Sequence, residues 1–359
     1  MMQRILIMAG GTGGHVFPAL AVAQQFRDMN VDVQWMGTCH GIEAKLVPAA
    51  GYPLHEISVR GLRGNGLLGW VLAPWRVMIA VIEACFVLRK INPDAVIGLG
   101  GFASGPGGLA AKLLDKPLLI HEQNAIPGLT NRLLARIANR VMEGFPNSFS
   151  AKFRAEWVGN PVRAEITQIE APEQRLANRD GAIHLLVLGG SLGARSLNTV
   201  LPEALSKIDA NIPLEVRHQC GEKHLEDCQQ AYVRAGRTAR VSAFIDDMAE
   251  AYAWADLVIC RSGALTVAEL AAAGLGAILV PYPYAVDDHQ THNAAMLVEA
   301  GAARLIADAQ LDAEKVAELL KHFAENRASL ILMAMAARTV AKAGSAQLIA
   351  DHCLEVANV

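Results

Sequence analysis

The sequence is short of several things, and each shortage removes a class of function. Phe, Trp and Tyr make up 5% of the 359 residues, and no basic run occurs. With little to stack on bases and no cationic track for a phosphate backbone, nucleic acid is not an expected partner. The six cysteines (Cys39, Cys85, Cys220, Cys228, Cys260, Cys353) form no C-x-x-C pair and no metal-type spacing. They read as reduced thiols of a cytosolic protein. No two aspartates stand two apart. The Asp-x-Asp device that holds a metal on a diphosphate is therefore missing, and neither a metal nor another cofactor is expected. The N-terminus reads as strand and loop, without a cleavable signal. Charged residues are 19% and the net charge is −3, which alone says nothing about partners. Their distribution says more: residues 1–163 carry 16 Lys and Arg against 10 Asp and Glu, and the remainder 16 against 25. A basic first half suits an anionic ligand or surface.

The length suits two domains of ordinary size, and a 52% hydrophobic composition gives each a core. The first motif opens the chain. Arg4-Ile5-Leu6-Ile7-Met8-Ala9 is a buried-strand pattern that runs into Gly10-Gly11-Thr12-Gly13-Gly14-His15. Val16, Ala19, Leu20, Ala23 and Phe26 follow at helical spacing, so the glycines feed a helix N-terminus, a natural seat for a phosphate. The dinucleotide fingerprint is only partly met. Counted from Gly11, it holds at Gly13 and fails at Val16, and the second strand, residues 31–35, ends in Met36-Gly37-Thr38-Cys39 with no carboxylate for a ribose. Both departures count against an NAD-linked oxidoreductase or a nucleotide-sugar epimerase. A tight turn with no ligand is the plain alternative.

Further strand signals at residues 54–59, 95–99, 118–122 and 140–145 alternate with helical stretches, which predicts a parallel, doubly wound α/β sheet. Glycine and polar clusters follow the strands, at residues 100–108 and at His121-Glu122-Gln123-Asn124. Residues 172–181 read as a polar surface connection. The pattern then restarts: Ile183-His184-Leu185-Leu186-Val187-Leu188 enters Gly189-Gly190-Ser191-Leu192-Gly193-Ala194, with more strands at residues 214–217, 241–244, 257–260 and 277–281. Two Rossmann-like halves facing a cleft are expected, with the crossing at Asn160-Pro161-Val162.

Residues 67–88 are almost wholly apolar, with Arg76 and Glu83 charged and Pro74 inside. The proline and charges oppose a membrane span. Two readings stay open: a buried crossover helix, or one whose outer face (Trp70, Leu72, Trp75, Ile79) dips into a bilayer while Arg60, Arg63, Arg76, Arg89 and Lys90 meet anionic headgroups.

In the second half, Cys260-Arg261-Ser262-Gly263-Ala264-Leu265-Thr266-Val267-Ala268-Glu269 leaves a strand and opens a helix capped by Ser262-Gly263. Its free N–H groups suit a diphosphate, and Glu269 is either a ribose acceptor or a solvated helix face. Asp287-Asp288-His289-Gln290-Thr291-His292-Asn293 starts another helix. Gln290 and Asn293 offer amides to sugar hydroxyls. His289 and His292 have no third ligand in view, so a metal is set aside.

Together, residues 10–15, 100–108, 121–124, 159–163, 189–191 and 261–266 closely resemble the MurG family, bacterial peptidoglycan glycosyltransferases that make lipid II. The resemblance runs through the whole chain in order. Two small departures are Cys220 after His218-Gln219, where serine is more usual, and the loop Ala125-Ile126-Pro127. The resemblance implies a GT-B fold. An acceptor and membrane-associating domain would span residues 1–162, with the helix at about 342–359 packing back on it, and a UDP-sugar domain would span residues 163–341. It implies inverting transfer of N-acetylglucosamine from UDP-N-acetylglucosamine (UDP-GlcNAc) to the C4 hydroxyl of the muramyl sugar of lipid I. The expected place is the cytoplasmic face of the inner membrane, as a peripheral protein, with cell-wall and division proteins as expected partners. Donor contacts carry over to Thr12, Gly13, Gly14, Asn124, Arg163, Ser191, Ile245, Ala264, Leu265, Thr266, Val267, Ala268, Glu269 and Gln290. His15 is the favoured base, its rival role being to orient a phosphate or sugar. Glu122 is the second candidate, against a structural role holding the loop that follows. A non-catalytic sugar-nucleotide scaffold is the alternative of a different class.

Overall fold

A computed structural model of the chain describes residues 2–59, 66–177 and 179–358, the side chains of residues 66–72 and 286 apart. The chain divides into two compact units, Met1–Arg163 with Gly344–Val359, and Ala164–Ala343. Arg60 and Arg63, and the side chains of Trp70 and Leu72, lie outside the described residues.

The first unit is built on strands β1 (Arg4–Met8), β2 (Asp32–Gly37), β3 (Leu54–Glu56), β4 (Ala95–Gly98), β5 (Leu118–Glu122), β6 (Arg140–Glu143) and β7 (Glu156–Trp157), in the order β3-β2-β1-β4-β5-β6-β7. Every pairing is parallel. The apolar run of β1 is covered on both faces, as a parallel strand requires. Ile5, Ile7 and Ala9 pack with Val16, Ala19 and Phe26 of the helix Gly13–Asp28 and with Ile349 and Cys353 of the closing helix Ser345–Ala357. Leu6 and Met8 face the other way, toward Ala84 and Leu88 of the helix Gly66–Ile91 and Ala110 and Ala111 of the helix Ser104–Leu113. Trp35 is fully buried, and its indole N–H donates to the Ala9 carbonyl at 2.8 Å, tying β2 to the exit of β1.

The second unit repeats the plan with β8 (Ile183–Leu188), β9 (Leu214–Gln219), β10 (Arg240–Ser242), β11 (Leu257–Cys260), β12 (Gly276–Leu279) and β13 (Ala303–Leu305), ordered β10-β9-β8-β11-β12-β13 and again all parallel. The α/β class read from the sequence is the one adopted. In each sheet the strand order reverses beside the first strand, between β1 and β4 and between β8 and β11. Ligands of such sheets bind beyond the carboxyl ends of the strands at that switch point. The loops that leave these four strands are the glycine-bearing segments at residues 10–15, 100–108, 189–191 and 261–263.

Several expectations need correction. The strand expected at residues 54–59 stops at Glu56, because the Val59 N–H turns back to the Ile57 carbonyl. Strands β7 and β13 were missed, being two and three residues long and too short to show a period. The supposed surface connection after residue 172 is docked instead. Pro172–Arg175 is a short helix, and buried Arg175 donates to the Ala273 and Gly274 carbonyls at 2.7 and 2.6 Å. A cation there neutralises the carbonyl end of the helix Ala264–Ala273.

Candidate active site

In the first unit the glycine loop is shaped by a side chain that sequence reasoning passed over. Glu43 is fully buried, and its carboxylate accepts from the Gly11 N–H at 2.8 Å, the Thr38 N–H at 3.1 Å and the Thr38 hydroxyl at 2.7 Å. A Cβ on Gly10 would collide with that carboxylate. The acid missing from the end of the second strand for a ribose is thus present six residues later, and it is spent on the loop. Its signal was weak: one Glu just after the Thr38–Gly41 turn.

Thr12 caps the helix Gly13–Asp28 in an extended conformation, and the His15 N–H is the first to reach back, to the Thr12 carbonyl at 3.1 Å. Thr12 and Gly14 are exposed and Gly13 is half-buried, so the first turn presents its N–H groups outward. Opposite, Gly100 and Gly101 leave β4 with φ of +95° and +87°. A Cβ on Gly101 would strike the Gly10 backbone, and one on Gly100 would strike the His15 ring. These two positions need glycine on both counts, conformation and space.

His15 is half-buried, with Nδ1 3.1 Å from Gln123 Oε1. Gln123 Nε2 lies 2.9 Å from the Leu99 carbonyl and 3.1 Å from Nδ1 of His121, whose Nε2 is 2.9 Å from the Gly159 carbonyl. His121 is completely buried, and desolvation lowers its pKa to about 4 although the Gly159 hydrogen bond opposes the shift. Glu122 is buried and engaged. One oxygen accepts from the Asn124 N–H at 2.9 Å, and the other accepts from the Gly128 N–H at 3.0 Å and the Asn131 amide at 2.9 Å. Its lone pairs hold the loop after β5, the structural role weighed against a base at this position. Asn124 rides on that loop, and half-buried Arg163 stands at the border of the unit.

In the second unit, Ser191 is exposed in a loop pinned by Gln219: the Gly190 N–H donates to Gln219 Oε1 at 3.0 Å, while its Nε2 donates to Gly190 and Ala243 carbonyls. Ile245 is half-buried, just before the helix Met248–Trp254. The helix Ala264–Ala273 is capped by Gly263 alone, not by a Ser262-Gly263 pair, and the Ser262 hydroxyl is buried with no partner among the described residues. Ala264 and Val267 turn their side chains into the core, so a ligand meets them only through backbone. Leu265, Thr266, Ala268 and Glu269 are half-buried. Glu269 is not a solvated helix residue: the Tyr252 hydroxyl donates to its Oε2 at 3.0 Å. Gln290 accepts from the Tyr282 N–H at 2.8 Å. Arg261, part of the sequence motif, is taken up by Asp308 at 2.5 Å and by Ser196 and two carbonyls. Among the described residues no three His, Cys, Asp or Glu side chains cluster as a metal set.

Residues 5–143 match the glycosyltransferase family 28 N-terminal domain, and residues 184–352 match its C-terminal domain. The chain belongs to glycosyltransferase family 28. The match is of full length. The UDP-N-acetylglucosamine--N-acetylmuramyl-(pentapeptide) pyrophosphoryl-undecaprenol N-acetylglucosamine transferase of Nitrosococcus oceani is 55% identical, with 100% of both chains covered. The transferase of the same name from Marinobacter nauticus is 53% identical over 99% of this chain and 98% of that one. The crystal structure of Acinetobacter baumannii MurG superposes with a TM-score of 0.85 at 42% identity, covering 98% and 99%. The family resemblance carried by the six motifs is thereby met. This family 28 member is an enzyme, a glycosyltransferase of GT-B type.

Proposed function

We infer that this enzyme moves N-acetylglucosamine from UDP-GlcNAc to the C4 hydroxyl of the N-acetylmuramyl sugar of lipid I, giving lipid II and UDP with inversion at the anomeric carbon. One observation carries the reading. Each switch point carries a helix whose first N–H groups precede its own hydrogen-bond ladder, at Thr12–Gly14 in one unit and Gly263–Thr266 in the other. A diphosphate donor and a diphosphate-linked acceptor need two such anion seats. Full-length similarity to transferases named for these two substrates supports it.

In the proposed step, the C4 oxygen attacks C1 of the donor sugar while Nε2 of His15 takes the hydroxyl proton. The C1–O bond to the β-phosphate breaks, and its electron pair leaves on UDP. The N–H groups at Gly263–Thr266, together with Arg163, meet the developing charge, without a metal. Glu269 takes the ribose hydroxyls, Ile245 the uracil through backbone, and Gln290 the donor sugar, with Asn124 of the first unit as a further donor contact. Ser191 and the Thr12–Gly14 turn contact phosphates. Replacing His15 by Ala should lower kcat by at least about a hundredfold and leave UDP-GlcNAc affinity within about twofold. The assay is UDP release with and without a short-chain lipid I analogue in detergent. Acceptor-dependent release that is absent with UDP-glucose supports the substrates, and a His15→Ala enzyme of unchanged kcat sinks the base.

We also place the enzyme peripherally at the cytoplasmic membrane face. Trp75, Met78, Ile79, Ile82 and Phe86 stand exposed along one side of the helix Gly66–Ile91. Leu109 and Leu113 are exposed on the adjoining helix Ser104–Leu113, and Leu129 and Leu133 on the next, Leu129–Leu134. Exposed Arg76, Arg89, Lys90, Lys112 and Arg136 flank them. Glu83 is withdrawn, its carboxylate accepting from the Ser58 N–H at 2.5 Å. An apolar face rimmed by cations fits an anionic lipid surface. Among the described residues no helix is long and apolar enough to cross a membrane. Cell-wall and division proteins are kept as proposed partners.

A further inference from the structure

The hydrogen bonds behind His15 run in one direction only. A carbonyl accepts and never donates, so the Gly159 carbonyl, 2.9 Å from His121 Nε2, places a proton on that nitrogen. Fully buried and neutral, His121 then has a bare Nδ1, which accepts from Gln123 Nε2 at 3.1 Å. The second hydrogen of the same amide goes to the Leu99 carbonyl at 2.9 Å. Turning the amide over would set its oxygen against that carbonyl, so the orientation of Gln123 is decided by its neighbours. Its Oε1 therefore faces Nδ1 of His15 at 3.1 Å and can only accept.

We propose that Gln123 and His121 are positioning residues that fix the tautomer of His15, with the proton on Nδ1 and the lone pair on Nε2. The inference rests on His15 being the base and adds how that base is held ready. A free imidazole divides its proton between both nitrogens, and the wrong tautomer presents an N–H where a lone pair is needed. Gly100 completes the device, since any Cβ there would occupy the place of the imidazole. Two further contacts steady the relay: the Gln123 carbonyl accepts from the Asn160 amide at 2.9 Å, and the Asn131 amide donates to the His121 carbonyl at 3.3 Å. The titratable groups around the chain are His121 from β5 and the carboxylates of Glu43 and Glu122, each already satisfied by its own donors. No charge competes with Gln123 for Nδ1 in the described contacts of His15.

The deciding measurement is a long-range proton–nitrogen correlation on the full-length chain labelled with nitrogen-15 histidine, the His15 signals being assigned by their loss in His15→Ala. The expected pattern is a protonated Nδ1 and a bare Nε2 in the resting enzyme. Gln123→Leu, which cannot accept, should shift His15 toward the Nε2–H form. It should also lower kcat about tenfold or more while the KM for UDP-GlcNAc stays within about twofold. An Nε2–H tautomer in the unaltered enzyme overturns the proposal outright, and that reading needs no variant to fold. So does Gln123→Leu with tautomer and kcat unchanged. Failure of the base assignment is seen separately: His15→Ala keeps its kcat whatever the tautomer.

Discussion

At the scale of single residues, the same glycines that announce a ligand loop also serve buried side chains. Gly10 and Gly41 make room for the Glu43 carboxylate, and Gly100 makes room for His15. The run Gly10-Gly11-Thr12-Gly13-Gly14-His15 was legible as a strand-to-helix turn because glycine, apolar period and position agree. What lay behind the turn was not legible, since a lone Glu43 thirty-two residues from Gly11 has no pattern that aims it. The same holds for His121 and Gln123, whose partners come from β4 and from the end of the unit. Glu43 is the sharpest test of this layer. Its replacement by Ala leaves the Thr38 N–H buried and the Gly11 N–H half-buried without their acceptor, which should lower stability by roughly 2–4 kcal/mol. Glu43→Gln keeps one acceptor oxygen and should lose less than about half of that. Thermal unfolding of the two variants beside the parent enzyme reads the difference. Equal melting temperatures for Ala and parent would show that the loop stands without its carboxylate.

At the scale of elements, strands bounded by glycine or proline were placed well, and β5, β8 and β11 lie where the apolar runs put them. Of the short edge strands, β3 and β10 were read from longer runs at residues 54–59 and 241–244 that overshoot their ends, and β7 and β13, with no such run, were lost. The helix Gly66–Ile91 shows what periodicity can and cannot decide. Its sequence is greasy all round, so the pattern left a buried helix and a surface-dipping one equally open. Packing shows which side is exposed: Ala80, Ala84 and Leu88 face the core, and the large residues at 75, 78, 79, 82 and 86 face out. Small residues inside and large ones outside invert the usual order for a soluble helix. Burying several such side chains in a lipid interface contributes about 1.5–3 kcal/mol apiece at most. The double variant Trp75→Glu with Phe86→Glu should therefore weaken binding to phosphatidylglycerol vesicles by about tenfold or more, measured by co-sedimentation. UDP release with a water-soluble acceptor should not change. Vesicle binding equal to the parent would remove this face from the membrane reading.

At the scale of the whole molecule, the repeated strand–glycine–helix unit made two α/β halves readable, but the sequence could not say where the last helix belongs. Ser345–Ala357 is amphipathic, and its inward residues Ile349, Ala350 and Cys353 would suit either core; in the structure they complete the first. Each unit also keeps one neutral histidine under the carboxyl end of its sheet, which couples both to acid. Burial lowers the pKa of His121 to about 4 and that of His218, held by Tyr232 and Asn198, to about 3. In the unfolded chain both titrate near 6.5. Above that value neither state binds the proton and no stability is lost. As the pH falls below it, the unfolded chain takes up protons that the folded chain refuses, so stability drops until the folded pKa is reached. The window is from about pH 6.5 down to about 4 for the first unit, with roughly 3 kcal/mol at stake, and down to about 3 for the second, with roughly 5 kcal/mol. Segment-resolved hydrogen exchange at about pH 7.5 and about pH 5, corrected for intrinsic rates, should show the opening free energies of β5 and β9 both falling. His218→Gln should flatten the fall in β9 and leave that in β5 as it was. A fall in β9 that survives the substitution would assign the acid sensitivity to other groups, and an unchanged opening free energy in the parent would mean that His218 is protonated inside the fold.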